Sequence, residues 1–378
     1  VTPPLGVYVH WPYCERICPY CDFNVYKSTI IDEARWVEAL TTELKLWAMR
    51  TPGRSLRSLY FGGGTPSLAP PAVINAVVEA CATLWGFEPG AEITLEANPT
   101  SAEAEQFETF ESLGVNRLSL GVQSLSDDAL TFLGRDHTTA EALSALGYAL
   151  ALFPKSSFDL IYARPNQSLE GWRRELGRAL NLGAQHLSLY QLTIEQGTAF
   201  EKAVARGAWA PPAEGLAADM FDLAQEMTAD MGLPAYEISN HAAADAQSQH
   251  NFLYWRQADY IGIGPGAHGR VTIDDKRHAT ETVRQPEEYL LQVMETGLGL
   301  AEETVLNDEA RLMEHVSMGL RLVEGCALPP PFEEMLARRQ SKLDTLTSEG
   351  FIQLRSGGLR ATPKGRRVLN AVLSELLA

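Results

Sequence analysis

The chain has 378 residues, 45% of them hydrophobic and 21% charged, with a formal net charge of −17. That length admits a large core and more than one domain, while the acidic balance argues against nucleic acid as a partner, because phosphate contacts need a concentrated basic surface. No apolar run approaches the roughly 20 residues that span a bilayer, and the N-terminus lacks the charged-then-apolar layout of a signal peptide, so a cytoplasmic location is expected.

From the N-terminus to about residue 232, short β-rich runs alternate with helical patterns. Strands are expected at 6–10, 58–61, 92–96, 117–120, 157–161 and 186–191, and helices at 32–49, 71–84, 102–113, 140–152, 169–182 and 213–231. Ser101 is expected to cap the third helix, and Gly114 and Gly183 to end two others. This rhythm implies parallel strands joined by right-handed crossovers. Six units fall short of the eight in a closed barrel. The expected fold is therefore α/β, a partial (β/α)6 barrel with an open side, and a doubly wound sheet is the alternative. The barrel is favoured because the cysteine loop, a glycine run, Glu96, Gln123 and Gln191 fall at or just past strand C-termini, the face where barrel sites are built.

After residue 233 the rhythm changes. A strand-like run at 235–239, the segment His250-Asn251-Phe252-Leu253-Tyr254-Trp255 and a glycine-rich stretch at 262–268 follow. From about 305 the chain turns helical and ends in two short strands around Ser356-Gly357-Gly358 and a helix, a wing-like pattern. The units are drawn at 1–232, 233–304 and 305–378. Arg355, Arg360, Lys364, Arg366 and Arg367 read as the solvated face of a packing or partner module.

The first predicted loop carries Cys14, Cys18 and Cys21 in the spacing C-x3-C-x2-C. Thiolates so spaced can hold three irons of a cubane iron–sulfur cluster. Three leave the fourth iron with an open position, as an incomplete ligand set leaves a catalytic zinc open. Zinc with His10 as a fourth ligand is the competing reading, and a disulfide is disfavoured by the odd number and the missing export signal. Cys81 and Cys326 sit in apolar contexts and read as buried thiols. Gly62-Gly63-Gly64-Thr65-Pro66 follows a strand; its glycines permit positive φ and leave backbone groups bare for a close ligand. No Lys-Ser/Thr follows, so it is not a phosphate loop. Glu96 can accept hydrogen bonds from a ribose or balance a positive charge, Gln123 adds a neutral polar group, and Arg135 can clamp a carboxylate. Asp159 lies inside a strand, where an acid is costly unless it is paired or functional.

Together with Tyr8-Val9-His10-Trp11-Pro12-Tyr13, Cys18-Pro19-Tyr20-Cys21-Asp22-Phe23-Asn24 and Gly121-Val122-Gln123-Ser124, these segments make the chain resemble, almost end to end, the HemN-like branch of the radical SAM superfamily. The resemblance implies a [4Fe-4S] cluster on Cys14, Cys18 and Cys21. It also implies an S-adenosylmethionine site lined by Tyr8, Tyr20, Gly63, Gly64, Thr65, Glu96, Gln123, Arg135 and Asp159. Residues 161–166, Ile-Tyr-Ala-Arg-Pro-Asn, depart from the small and glycine residues usual there.

Two functions live in that branch: oxygen-independent coproporphyrinogen III dehydrogenases, which decarboxylate a porphyrin precursor by radical chemistry, and heme chaperones. The dehydrogenases resemble C-x3-C-x2-C-x-C, but here Phe23 stands at the last position. They also carry an arm ahead of the cysteines, whereas this loop begins at residue 14. The segment His250-Asn251-x-x-Tyr254-Trp255 resembles a chaperone signature. The expectation is a heme chaperone with heme as cargo and acceptor hemoproteins, such as cytochromes of the respiratory membrane, as partners, and with a cluster-dependent homodimer. His250 is the leading heme ligand, with His10, His137, His241 and His268 as alternatives.

Overall fold

The computed structural model describes residues 3–28, 30–153, 155–355 and 357–378. Leu5–Trp11 (β1) is buried at six of its seven positions, a run without polar alternation of the kind that sits inside a parallel sheet. Leu56–Gly63 (β2), Phe87–Ala97 (β3), Arg117–Gln123 (β4), Ser157–Tyr162 (β5) and His186–Gln191 (β6) follow it in parallel register. Each of the six predicted strands is present, most of them longer than expected. Asn240–Ala242 (β7) closes one end of the sheet antiparallel to β6.

The other end was not foreseen. Asp259–Ile263 (β8) returns to lie parallel to β1 on its far side, and His268–Ile273 (β9), Lys276–Thr282 (β10) and Leu300–Val305 (β11) extend from it antiparallel. The order β11-β10-β9-β8-β1-β2-β3-β4-β5-β6-β7 makes one sheet of eleven strands whose ends do not pair with each other. Strands β1 to β6 lie side by side in chain order, with none of the order reversal that marks a doubly wound sheet. That is barrel-type winding with an open side.

The crossover helices bury one stripe each. Helix Glu33–Arg50 starts where the Asp32 carboxylate accepts from the Arg35 N–H (3.2 Å), and it buries Trp36, Leu40, Leu44 and Trp47 against the sheet. Each such side chain contributes about 1.5–3 kcal/mol on burial. The third predicted helix is broken into Ser101–Ala104 and Phe107–Ser112. Its cap is Thr100 rather than Ser101, since the Thr100 hydroxyl accepts from the Glu103 N–H (3.3 Å). The Glu103 side chain turns inward, bound by the Ser67 hydroxyl and the Asn98 N–H. Gly114 and Gly183 do take positive φ past their helices. The run at 235–239 is not a strand: Ala235 makes an isolated bridge to His241, and pairing begins at Asn240.

The segment around His250 is helix Gln249–Trp255. Ser248 caps it, and the Glu92 carboxylate accepts from the Ser248 hydroxyl and from the Gln249 and His250 N–H groups, each at 3.2 Å. Arg117 faces Glu92 at 3.4 Å, with both side chains at most 3% exposed, and donates to the Ala246 carbonyl (2.9 Å).

Leu312, Val316, Leu320, Leu343, Leu359 and Leu376 build a second, separate core under a three-stranded sheet that includes Ile352–Arg355 and Gly358–Ala361. Ser356, in the turn between those two strands, lies outside the described residues. Of the basic residues here, Arg355, Lys364 and Arg367 are exposed as expected, and Arg360 and Arg366 are half-buried. The Arg366 guanidinium donates to the Glu237 carbonyl (2.7 Å), Arg367 pairs with Asp222 of helix Glu214–Asp230, and Lys364 and Arg360 bind within the unit. Cys326 is half-buried rather than buried. Among the described residues no helix is long and apolar enough to cross a membrane.

Glu92→Ala strands a buried guanidinium and uncaps the helix that carries His250. The expected cost is about 3–5 kcal/mol, read as a lower denaturant midpoint with far-UV dichroism otherwise native. An unchanged midpoint contradicts this role.

Candidate functional site

The site is assembled where β1 to β6 end. The turn after β2 and the loop after β1 are in backbone contact: the Gly64 N–H donates to the Trp11 carbonyl (2.7 Å) and the Thr65 N–H to the Tyr13 carbonyl (2.9 Å). No side chain fits between them. A Cβ on Gly64 would lie 2.6 Å from the Tyr13 carbonyl oxygen, and one on Gly63, at φ 109°, would lie 2.9 Å from that of Trp11. The Gly63 N–H goes to Glu96 (3.2 Å). These N–H groups are therefore not bare for a ligand; they bracket the cysteine loop.

That bracket presents Cys14, Cys18 and Cys21 as free thiols on one cleft. Each is held differently. The Thr65 hydroxyl donates to Cys14 Sγ (3.5 Å), the Arg135 guanidinium to Cys18 Sγ (3.3 Å), and the Cys21 N–H to the Cys18 carbonyl (3.1 Å). Burial pushes the Cys14 thiol up and the Cys21 thiol up to about 11. These thiols stay protonated near neutrality until a metal displaces the proton.

The cleft holds about 350 Å³ and takes in Tyr20, Gly63, Gly64, Thr65, Glu96, Gln123, Arg135 and Asp159 beside the cysteines. Gln123 sits at φ 65°, a left-handed conformation rare outside glycine, at a register shift that ends β4. Glu96 accepts from the Tyr60 hydroxyl (2.7 Å) as well as Gly63. Shielding from water pushes its carboxyl up to about 7, opposed by the Tyr60 hydrogen bond and aided by Asp159. Asp159 is likewise pushed up to about 7 by desolvation, against a hydrogen bond from Ser188 and the charge of Arg135. Its Oδ1 has no partner, and neither does Arg135 Nε, although the same guanidinium also binds Asn98 and the Gly121 carbonyl.

This donor set fits a cubane cluster with S-adenosylmethionine. Soft thiols stand on one side, and two acids and a guanidinium with unspent hydrogen-bonding capacity stand around the same space. It does not fit zinc with His10. One His10 ring nitrogen meets the Asn24 carbonyl (2.9 Å) and the other the Tyr8 hydroxyl (3.1 Å). Among the described residues no three His, Cys, Asp or Glu side chains close on one point as a single ion requires.

Two expected residues are not in the cleft wall. Tyr8 lies beneath it, with the Tyr60 ring stacked on it at 6.1 Å. His250, 1% exposed, has both ring nitrogens engaged, by the Ser58 hydroxyl (2.7 Å) and the Tyr254 hydroxyl (2.6 Å), and stacks on Tyr60 at 4.9 Å. Burial lowers its pKa to about 3. It is a neutral packing residue with no nitrogen to offer a heme iron, which corrects its expected role. His137 and His241, also weighed as alternatives, are buried as well.

Tyr60, Asn98 and Tyr190 are cleft or support residues that the motifs did not single out. The alternation of β2 could have found Tyr60, which shares a face with Gly62. The departure at 161–166 has a local cost: Ala163 and Asn166 take φ of 57° and 61°. It also has a local use, since Arg164 is buried against Glu175 and donates to the Ser124 hydroxyl (2.6 Å).

An acid whose folded pKa is raised contributes stability below its unfolded value of about 4. That stability is lost as pH rises through about 7. Asp159→Asn is therefore expected to raise the melting temperature of the cofactor-free protein at pH 8, with the gain shrinking below pH 5. A variant less stable than the parent at pH 8 contradicts the assignment.

Comparison with known proteins gives the chain a family. The family profile described as the Radical SAM superfamily matches residues 8–177. The bovine mitochondrial protein named radical S-adenosyl methionine domain-containing protein 1 is 38% identical over 385 residues, covering 99% of this chain and 87% of that one. The heme chaperone HemW of Haemophilus influenzae is 35% identical over 390 residues, covering 99% and 98%. That of Escherichia coli is 34% identical over 388 residues, covering 100% and 99%. Among solved structures, E. coli coproporphyrinogen III oxidase (HemN), described as a radical SAM enzyme, superposes with a TM-score of 0.83 over 99% of this chain and 90% of that one, at 22% identity, a likeness of fold. The chain belongs to the radical SAM superfamily, in the branch that holds the HemW proteins and shares the fold of HemN.

Proposed function

We propose that this protein is a heme chaperone. It holds a [4Fe-4S] cluster on Cys14, Cys18 and Cys21, takes S-adenosylmethionine into the adjoining cleft, and passes heme to acceptor hemoproteins. The observation that carries the reading is the set of three free thiols on one bracketed loop, facing a cleft with two acids of high proton affinity. The cluster, when bound, supplies an electron and one open coordination position. The protein's part is recognition. Arg135 is suited to a carboxylate, Glu96 and Asp159 to hydroxyl groups and a sulfonium charge, and Gln123 and Tyr20 to polar and flat groups between them.

Chaperone rather than dehydrogenase is supported by two facts. Full-length relatives at 34–35% identity are named heme chaperones, whereas the likeness to HemN is one of fold. The position two residues after Cys21 holds Phe23, 63% exposed, and the other cysteines are remote from the loop: Cys81 is buried in helix Pro71–Leu84, and Cys326 lies at the second core.

Cys18→Ala is expected to abolish the visible absorption of the reconstituted cluster, to leave far-UV dichroism intact, and to slow heme transfer to an apo-cytochrome at least tenfold. A normal four-iron spectrum in the variant contradicts the ligand set. Turnover of coproporphyrinogen III by the parent protein, without heme transfer, replaces the chaperone reading with the dehydrogenase one.

A further inference from the structure

The cargo needs a seat, and the buried His250 does not provide one. Of the eight histidines, His10, His137, His186, His241 and His250 are buried. His278 is tied to Glu303 at 2.7 Å and His315 to the Ala327 carbonyl at 2.5 Å. His268 alone is open, its side chain 59% exposed, its nearest ion-pair contact the Glu281 carboxylate at 4.0 Å.

His268 opens β9, and its strand partner is Glu281. The turn that leads into it is pressed onto both flanks of the cysteine loop, the end of β1 and Asn24. A Cβ on Gly264 would lie 2.2 Å from the His10 carbonyl oxygen, and one on Gly266 would lie 2.6 Å from Asn24 Nδ2. That same Asn24 amide donates to the Pro265 carbonyl (2.9 Å) and the Arg284 carbonyl (2.8 Å). His268 therefore follows, by two residues, a turn packed on Asn24, the chain neighbour of Phe23; Phe23 and Ile17 are apolar side chains 63% and 46% exposed on the cleft rim. Arg284 is exposed, and both it and His268 act electrostatically on the His10 ring.

Resting on the heme-chaperone reading, we propose that His268 is the axial ligand of the cargo heme, which seats at the rim of the cleft with its apolar face toward Phe23 and Ile17 and a propionate toward Arg284. The chemistry matches part by part. An iron porphyrin needs a free ring nitrogen, an apolar face and a cation for its carboxylates. The seat shares Ile17 and Phe23 with the cleft rim but none of the polar groups assigned to S-adenosylmethionine, so the two do not compete for the same hydrogen-bonding groups.

The test is a hemin titration of cluster-loaded parent and His268→Ala proteins, followed by the Soret band. Because the side chain is exposed, the variant folds normally, which far-UV dichroism checks. It is expected to bind hemin at least tenfold more weakly with a displaced band, and added imidazole is expected to restore the band position. A variant that titrates with the parent's midpoint and band overturns the assignment while leaving the chaperone reading intact. A parent protein with no saturable Soret band removes the chaperone reading and this seat with it.

Discussion

The structure depends on one close approach of backbone to backbone. The cysteine loop is laid over the end of β2 by two hydrogen bonds, Gly64 to Trp11 and Thr65 to Tyr13, at a separation that excludes any side chain. Glycine is required there because no other residue lacks a Cβ. Once the loop is seated, Thr65 reaches Cys14, and Gly63 turns its N–H to Glu96. The Glu96 carboxylate in turn fixes Tyr60, which packs on Tyr8 and His250. A chain of contacts thus runs from the thiols through the strand ends to the helix at 249–255.

The same site works against stability. Glu96 and Asp159 are shielded acids on one cleft, Asp159 raising the cost of ionising Glu96 and itself lacking a partner at Oδ1, and burial raises the Cys14 and Cys21 thiols beside them. A fold left to optimise its core would replace such groups. Both acids face the cleft that carries the cysteines, which is what a ligand site looks like energetically, whereas the buried Glu92 of β3 is paired with Arg117. Stability comes instead from the fully buried tryptophans Trp36, Trp47 and Trp172 and from paired networks such as Glu92–Arg117.

Much of this was legible in the chain. The six parallel strands were readable because each is a short apolar run separated by an amphipathic helix, and polar residues at strand ends pointed to the cleft. What was missed is non-local. Strand β8 pairs with β1 from more than 240 residues away, a partnership that no local pattern announces. The third helix breaks where Glu103 is drawn inward to Ser67, a tertiary pull on a locally good helix. The glycine run was read as open to a ligand because its loop partner was invisible. His250 was read as a ligand because a motif gives chemistry without giving access. The arginines near the C-terminus show the same limit: Arg366 and Arg367 face Glu237 and Asp222, residues far off in sequence.

In the proposed cluster, the thiolates of Cys14, Cys18 and Cys21 would leave one iron open toward the acids of the cleft. Mössbauer spectroscopy of protein reconstituted with 57Fe, before and after S-adenosylmethionine, tests it directly. One iron of the four is expected to change its signal on addition while the other three do not. Four irons that remain unchanged, or a cluster that never assembles to four, would contradict it.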